Sequence, residues 1–477
     1  MDNLLVDALC KICQKNSDKV ALIDEKEHAT YKELFSKAQK ICSFLKDKVQ
    51  HGDAVGIYMN KSVDYVIVLT ALLLYGCIYV PIDKRNKKER LNYIVSASKC
   101  KLIVSDGSNM DYAQCPTYCF RDLLYADCDE YSPKVLSEMR EEVYILFTSG
   151  STGNPKGVKI SYDNLWNLVN SLNERIYSPK EKDLRIAVVA SFSFDASVKQ
   201  IFFSLIFGHT LYIVPDKVKK FGRLLCNYLK TNRIDVCDFT PSLIATISKD
   251  KRCSSYLGLK KVLIGGELLF GKHLNCIRKL FGDQVNIVNL YGPTECCVDI
   301  CYYIVPENSV YRDEEYVPVG LPLDNNVVFL NNHQEIIVQG ANVGLGYTSE
   351  QRDSGYGFFN GKWGYNTRDI GFFDEQNRLV VLGRSDNQVK VNGYRIELED
   401  IENNIYALKH VKYVKVFIYE RRIIAVICSS NKSQKHYIEQ LQQKLPEYML
   451  PDLFIFDDDI KLNRNMKFDS DYYINLL

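Results

Sequence analysis

The stretch Leu146-Phe147-Thr148-Ser149-Gly150-Ser151-Thr152-Gly153-Asn154-Pro155-Lys156-Gly157-Val158 constrains this chain more than any other part of it. Four hydroxyl side chains, three glycines and a lysine follow directly on the apolar run Val143 to Phe147. Glycines let a backbone close on an anion and turn successive N–H groups toward it, while hydroxyls add donors and the lysine adds charge. The segment therefore reads as a phosphate cradle able to hold a nucleoside triphosphate. It is not a Walker loop, because Lys156 follows Pro155 and precedes Gly157 instead of standing in Gly-Lys-Ser/Thr. A polar surface turn would use the same residue types, but the density of phosphate-binding groups favours the cradle.

At 477 residues the chain exceeds the size at which one core stops growing, so two or three packed subdomains are expected. With 60 basic and 59 acidic residues, bulk charge gives no reason to expect a nucleic-acid or anionic-membrane partner. The local run Lys84-Arg85-Asn86-Lys87-Lys88 reads as a solvated face. The start, Met1-Asp2-Asn3-Leu4-Leu5-Val6-Asp7, lacks the basic region and long apolar core of a secretory signal. The expected location is thus the cytoplasm, with the 16 cysteines as free thiols. Cys10 and Cys13 form a lone Cys-x-x-Cys with no second pair at zinc spacing. Tyr65 to Ile82 is uncharged and nearly long enough to span a membrane, but Gly76 breaks it and Cys77-Ile78-Tyr79-Val80-Pro81-Ile82 is rich in β-formers. A buried helix turning into a buried strand is expected there.

Short β-type runs such as Val55 to Met59, Ile186 to Ala190 and Lys261 to Ile264 alternate with helical patterns through the first four-fifths. That alternation predicts layered α/β sheets, largely parallel. From about Asn326 to residue 385 the pattern changes to strands closed by turns at Asn331-Asn332-His333 and Asn360-Gly361-Lys362, a β-rich subdomain. Beyond Gly383-Arg384-Ser385-Asp386-Asn387 a small α+β domain is expected, with a helix near Leu398 to Leu408, strands Tyr413 to Ile418 and Arg422 to Cys428, and a helix Gln434 to Lys444. The expected division is therefore 1–385 and 386–477, with a hinge at Asp386.

The chain resembles the adenylate-forming superfamily, and specifically the amino-acid adenylation domains of nonribosomal peptide synthesis. Besides the Thr-Ser-Gly-Ser-Thr-Gly loop, the signatures are Tyr79-Val80-Pro81-Ile82-Asp83, Phe194-Asp195-Ala196-Ser197, Asn289-Leu290-Tyr291-Gly292-Pro293-Thr294-Glu295 and Gly383 to Lys390. They continue through Gly393-Tyr394-Arg395-Ile396-Glu397 and Leu445-Pro446-Glu447-Tyr448-Met449-Leu450-Pro451 to Lys467, in the family's order. The chemistry implied is attack of a carboxylate on the α-phosphate of ATP, which expels pyrophosphate and needs cations and oriented N–H groups where charge develops. By resemblance Thr148, Ser149, Gly150, Ser151, Thr152, Gly153 and Lys156 hold the phosphates. Glu295 helps bind Mg2+, Tyr291 stacks on adenine, and Asp369 with Arg384 holds the ribose. Gly265, Gly266, Glu267, Asn289, Gly292 and Thr294 complete the nucleotide site. Lys467 bridges carboxylate and phosphate, so that Lys467, Thr148 and Glu295 form the catalytic set, and Gly393 serves the thioester step.

The resemblance places Asp195 against the α-ammonium of an amino acid, with Ala196, Lys199, Asp238, Leu263, Gly265, Leu290, Val298, Asp299 and Lys467 around the substrate. Lys199 is a cation one helical turn from Asp195, where a large apolar residue often stands. It either neutralises a substrate carboxylate or pairs with Asp238 or Asp299 in an ion network around a neutral or basic substrate. The set closely resembles that of glutamate-activating domains, differing mainly at Leu290, and implies L-glutamate, with glutamine and aspartate behind it. Arg368 and Met466 stand where the family has glycine, and Asn86 and Lys87 where it often has proline. No Gly-Gly-x-Ser carrier motif occurs, since Gly265-Gly266 leads into Glu267. The expectation is a stand-alone ligase loading a separate carrier protein. An acyl-CoA synthetase and a catalytically silent homologue are the rival readings.

Overall fold

The structure, a computed structural model, describes residues 4–107, 115–125, 142–150, 154–177, 181–219, 221–250, 252–253, 255–349, 354–386, 388–391, 394–461 and 468–477. The chain divides into two compact units. One comprises Met1–Lys84, Val95–Leu146 and Gly157–Ser385, and the other Arg85–Ile94, Phe147–Lys156 and Asp386–Leu477.

Among the described residues the first unit is built on sheets of nine, seven and five strands. The nine-stranded sheet takes its centre from short apolar runs: Arg185–Val188, Val236–Phe239, Lys261–Gly265 and Asn286–Tyr291 lie side by side and parallel. Strands of this kind are buried on both faces, so their sequences need no alternation. The seven-stranded sheet centres on Ala54–Tyr58, flanked by Ile78–Pro81 and Leu102–Ser105, again parallel. One apolar core joins the two, running from Val55, Ile57 and Leu72 to Ile186, Leu211 and Val288. The β-rich part pairs Asn326–Leu330, Glu335–Gly340, Lys362–Phe373 and Tyr356–Phe359 antiparallel, with Leu379–Arg384 on the far part of Lys362–Phe373.

The segment Tyr65 to Ile82 folds as its composition requires. A helix Val63–Tyr75, buried at every position but Asp64, is capped by Ser62 and stops at Gly76, whose φ of 79° only glycine takes without strain. The buried strand Ile78–Pro81 follows. Among the described residues no helix is long and apolar enough to cross a membrane.

In the second unit, helices Leu398–Tyr406 and Gln434–Leu441 pack on strands Val411–Tyr419, Arg422–Ser429 and Leu453–Phe456 through Ile401, Ile405, Val416, Ala425, Ile427, Tyr437 and Leu441. A separate two-stranded sheet joins Gln388–Val391 to Tyr394–Glu397.

One expectation is qualified and one is corrected. The basic run at Lys84 is the exposed face expected, with Arg85, Lys87 and Lys88 exposed, but two of its cations have partners: Lys84 pairs with Asp106, and the Arg85 guanidinium lies 5.8 Å and 5.9 Å from the rings of Tyr394 and Tyr448, which stack on each other. Their electron-rich faces attract the cation. The cysteines are not all free, because Cys226 and Cys253 are joined in a disulfide.

Candidate active site

Parallel strands leave their polar chain ends at one edge, and ligand sites of open α/β sheets form at that edge. Here the register sets Asp238 beside Leu263 and Gly265 beside Leu290 on adjacent strands. Helix Ala196–Ile206 supplies the neighbouring wall. Every side chain from Ser197 to Ile206 is buried, Lys199 and Gln200 included.

Lys199 is 4% exposed. Its ammonium lies 2.7 Å from Asp238 Oδ2 and 2.9 Å from Asp299 Oδ2, so both alternatives for its partner are realised together. Burial, which would strip its proton, is outweighed by the two carboxylates, and the lysine stays charged. Burial also pushes the Asp238 carboxyl up, to about 6, with Asp299 and Asp195 adding to the effect and Lys199 opposing it. Gln200 Nε2 gives Asp238 Oδ2 a second donor at 2.7 Å. Asp195, at the start of the helix, accepts from the Thr294 hydroxyl.

Asp299 follows two residues in the left-handed region, Cys297 at φ 52° and Val298 at φ 74°. For a β-branched side chain this is a genuine outlier, and such strain gathers at functional sites. The segment is held by Asn342 Nδ2, which donates to the Asp299 carbonyl at 2.8 Å. It also crosses Gly292 so closely that a Cβ there would lie 2.4 Å from the Val298 carbonyl oxygen. At Gly265 the limit is the Leu290 carbonyl, 2.7 Å from a built Cβ. Ala196 opens the helix, and Leu263 and Leu290 are buried.

A second cluster forms around Asp369. Arg384 donates to its Oδ1 at 2.8 Å and the Tyr291 hydroxyl donates to its Oδ2. Arg368, just before it, has φ 60°, which explains why a glycine suits this position better than an arginine. Asn289 Nδ2 bonds the carbonyls of Val317 and Pro318, and Glu267 accepts from the backbone and hydroxyl of Ser242, capping helix Pro241–Lys249. Gly266 takes φ 81° between them. Glu295 is wholly buried, and its Oε1 accepts from the Tyr347 hydroxyl at 2.7 Å.

In the second unit Thr148 Oγ1 is buried with no hydrogen-bond partner among the described residues. Ser149 Oγ donates to the Arg395 carbonyl at 2.9 Å. A Cβ at Gly150 would lie 2.1 Å from the Asn154 carbonyl oxygen, so this position admits only glycine. Lys156 opens the strand Lys156–Ser161. Ser151, Thr152, Gly153, Gly393, Met466 and Lys467 lie outside the described residues.

Sequence reasoning missed Gln200, Asn342 and Tyr347. Only Gln200 left a signal, as half of a Lys-Gln pair inside the largely apolar helix ASVKQIFFSLI.

Residues 10–348 match the family model described as AMP-binding enzyme. Surfactin synthase subunit 1 of Bacillus subtilis (strain 168) is 33% identical over 490 residues, covering 95% of this chain and 13% of that protein. The chain spans about a tenth of the length of the first curated relatives it matches. The structure of holo-PA1221, an NRPS protein containing adenylation and PCP domains bound to vinylsulfonamide inhibitor, has a TM-score of 0.88 at 23% identity, covering 99% of this chain and 84% of that one. The Vibrio cholerae adenylation domain AlmE, in complex with glycyl-adenosine-5'-phosphate, has a TM-score of 0.85 at 21% identity, covering 100% and 98%. A family match over more than two thirds of its length, on a fold shared from end to end, places the chain among the AMP-binding enzymes of the adenylate-forming superfamily.

Proposed function

We propose that the chain activates an amino acid, L-glutamate foremost, with ATP and Mg2+, forming an aminoacyl-adenylate and releasing pyrophosphate. It then passes the aminoacyl group to the phosphopantetheine thiol of a separate carrier protein. The observation that carries this reading is the buried Lys199 bridging Asp238 and Asp299, with the Asp195 carboxylate near enough to raise the Asp238 carboxyl. An α-ammonium would pair with the Asp195 carboxylate, whereas an acyl chain offers it no opposite charge.

In the first step a substrate carboxylate oxygen bonds to the α-phosphorus as the bond to the β-phosphate breaks. Lys467 would bridge the two anions, and the Thr148 hydroxyl, with no partner among the described residues, would donate to a phosphate oxygen. The Asp369 and Arg384 pair, steadied by Tyr291, would hold the ribose. Glu295 suits Mg2+, which takes one or two carboxylates together with substrate phosphates. When bound, the ion withdraws charge from the triphosphate.

Lys199 has three N–H bonds and, among the described residues, two acceptors. The third is available to a side-chain carboxylate or carbonyl. Glutamate meets it with a charge. Glutamine is the second reading, favoured by the excess of carboxylates over cations in the cluster. The test is ATP–pyrophosphate exchange across the proteinogenic amino acids with D-alanine and D-glutamate, followed by loading of a carrier protein against coenzyme A. Exchange led by L-glutamate is expected. Exchange with no amino acid, or coenzyme A as the better acceptor, would overturn the proposal.

A further inference from the structure

Gln200 is 3% exposed, in the interior of helix Ala196–Ile206, and among the described residues makes one side-chain hydrogen bond: Nε2 to Asp238 Oδ2 at 2.7 Å. Its Oε1 is buried with no partner among the described residues. A buried amide with an unpaired acceptor costs stability, which a methionine or leucine of similar size would not. Such a breach of local rules calls for a compensating role.

That role follows from where the two donors meet. Lys199 and Gln200 are consecutive on the helix, yet both reach the same oxygen of Asp238. Turning the Asp238 carboxylate would break both contacts. Asp238 is thereby fixed, and Asp238 and Asp299 together fix the end of a lysine side chain that otherwise carries four flexible methylenes.

We propose that Gln200 is a specificity-determining positioning residue, locking Asp238 so that Lys199 offers its remaining N–H to an acceptor on the substrate side chain. The proposal rests on the reading of the Lys199 cluster as the side-chain subsite.

Amino-acid-dependent pyrophosphate exchange in the full chain tests it. Gln200→Met keeps length and removes the donor. It is expected to raise KM for glutamate about tenfold, the worth of one hydrogen bond to a charged group, and to shrink the glutamate-to-glutamine ratio, with KM for ATP unchanged. Gln200→Glu is the conservative rescue. Beside Asp238, with Lys199, Asp299 and Asp195 as the other charged groups there, the new carboxyl keeps its proton at low pH and donates as the amide does. Its KM should approach the wild-type value at pH 6 and climb at pH 8.

An unchanged KM and ratio in Gln200→Met would overturn the proposal. So would a uniform loss over all amino acids and ATP with a lowered melting temperature, which marks a structural role. If the wild-type chain itself shows no preference for side chains bearing an acceptor, the subsite reading falls, and that result appears without any substitution.

Discussion

The ion clusters around Lys199 and around Asp369 are both buried, but they balance charge differently. Asp369 has one guanidinium and one phenol on its two oxygens, so its charge is met within the protein. Lys199 serves two carboxylates, Asp238 and Asp299, and among the described residues its third N–H has no acceptor. Burial then holds the Asp238 carboxyl up at about 6. A cluster complete in itself makes a fixed platform for a part of the substrate that never varies. An incomplete one leaves a term for the ligand to supply, and its fit depends on which ligand arrives.

The contrast can be broken by substitution. Lys199→Met strands two buried carboxylates and should cost about 3–5 kcal/mol, read from the shift in denaturant midpoint, along with the preference for glutamate. Retained stability and preference would make the cluster incidental. Asp369→Asn removes a charge that binds through hydrogen bonds, so KM for ATP should rise roughly 10–100-fold while the ratio of glutamate to glutamine stays the same. A changed ratio would show that the two clusters are not separate in function.

Asp238→Asn gives a smaller effect, visible in pH dependence. Native Asp238 keeps its proton up to about pH 6, whereas an unfolded aspartate releases it near 3.9. The native state therefore binds the extra proton between these values, and this group's contribution makes stability fall as pH rises through that window. Denaturation at pH 4.5 and 7.5 should show a smaller difference in the variant than in the wild type. The smallest effect belongs to Arg368→Gly, which relieves a left-handed arginine and should stabilise by about 1 kcal/mol in thermal unfolding. Destabilisation would mean that the arginine side chain outweighs its strained backbone.

Much of this was legible because it is local. Gly76 ends a helix where the apolar run from Tyr65 breaks, and the turn residues of 331–333 and 360–362 close antiparallel pairs. Arg368 stood out for the same reason, as a side chain where the backbone needs a positive φ. What stayed hidden depends on contacts distant in the chain. Lys199 meets Asp299 across 100 residues, and sequence could list both aspartates as partners without telling that the lysine takes both. The Cys226–Cys253 bridge and the packing of Arg85 on Tyr394 and Tyr448 are of the same kind, set by topology and not by neighbouring residues. Gln200 was concealed by its helix, where apolar neighbours make one amide look like filler.

The central claim is that the Lys199 cluster reads an acceptor on the substrate side chain. The most direct measurement is kcat/KM for pyrophosphate exchange by the wild-type chain with L-glutamate against L-norvaline, an apolar side chain without an acceptor. A site built to bond a polar group rejects the analogue lacking it strongly, so glutamate should lead by at least about a hundredfold. Equal rates, or a lead for norvaline, would contradict the account.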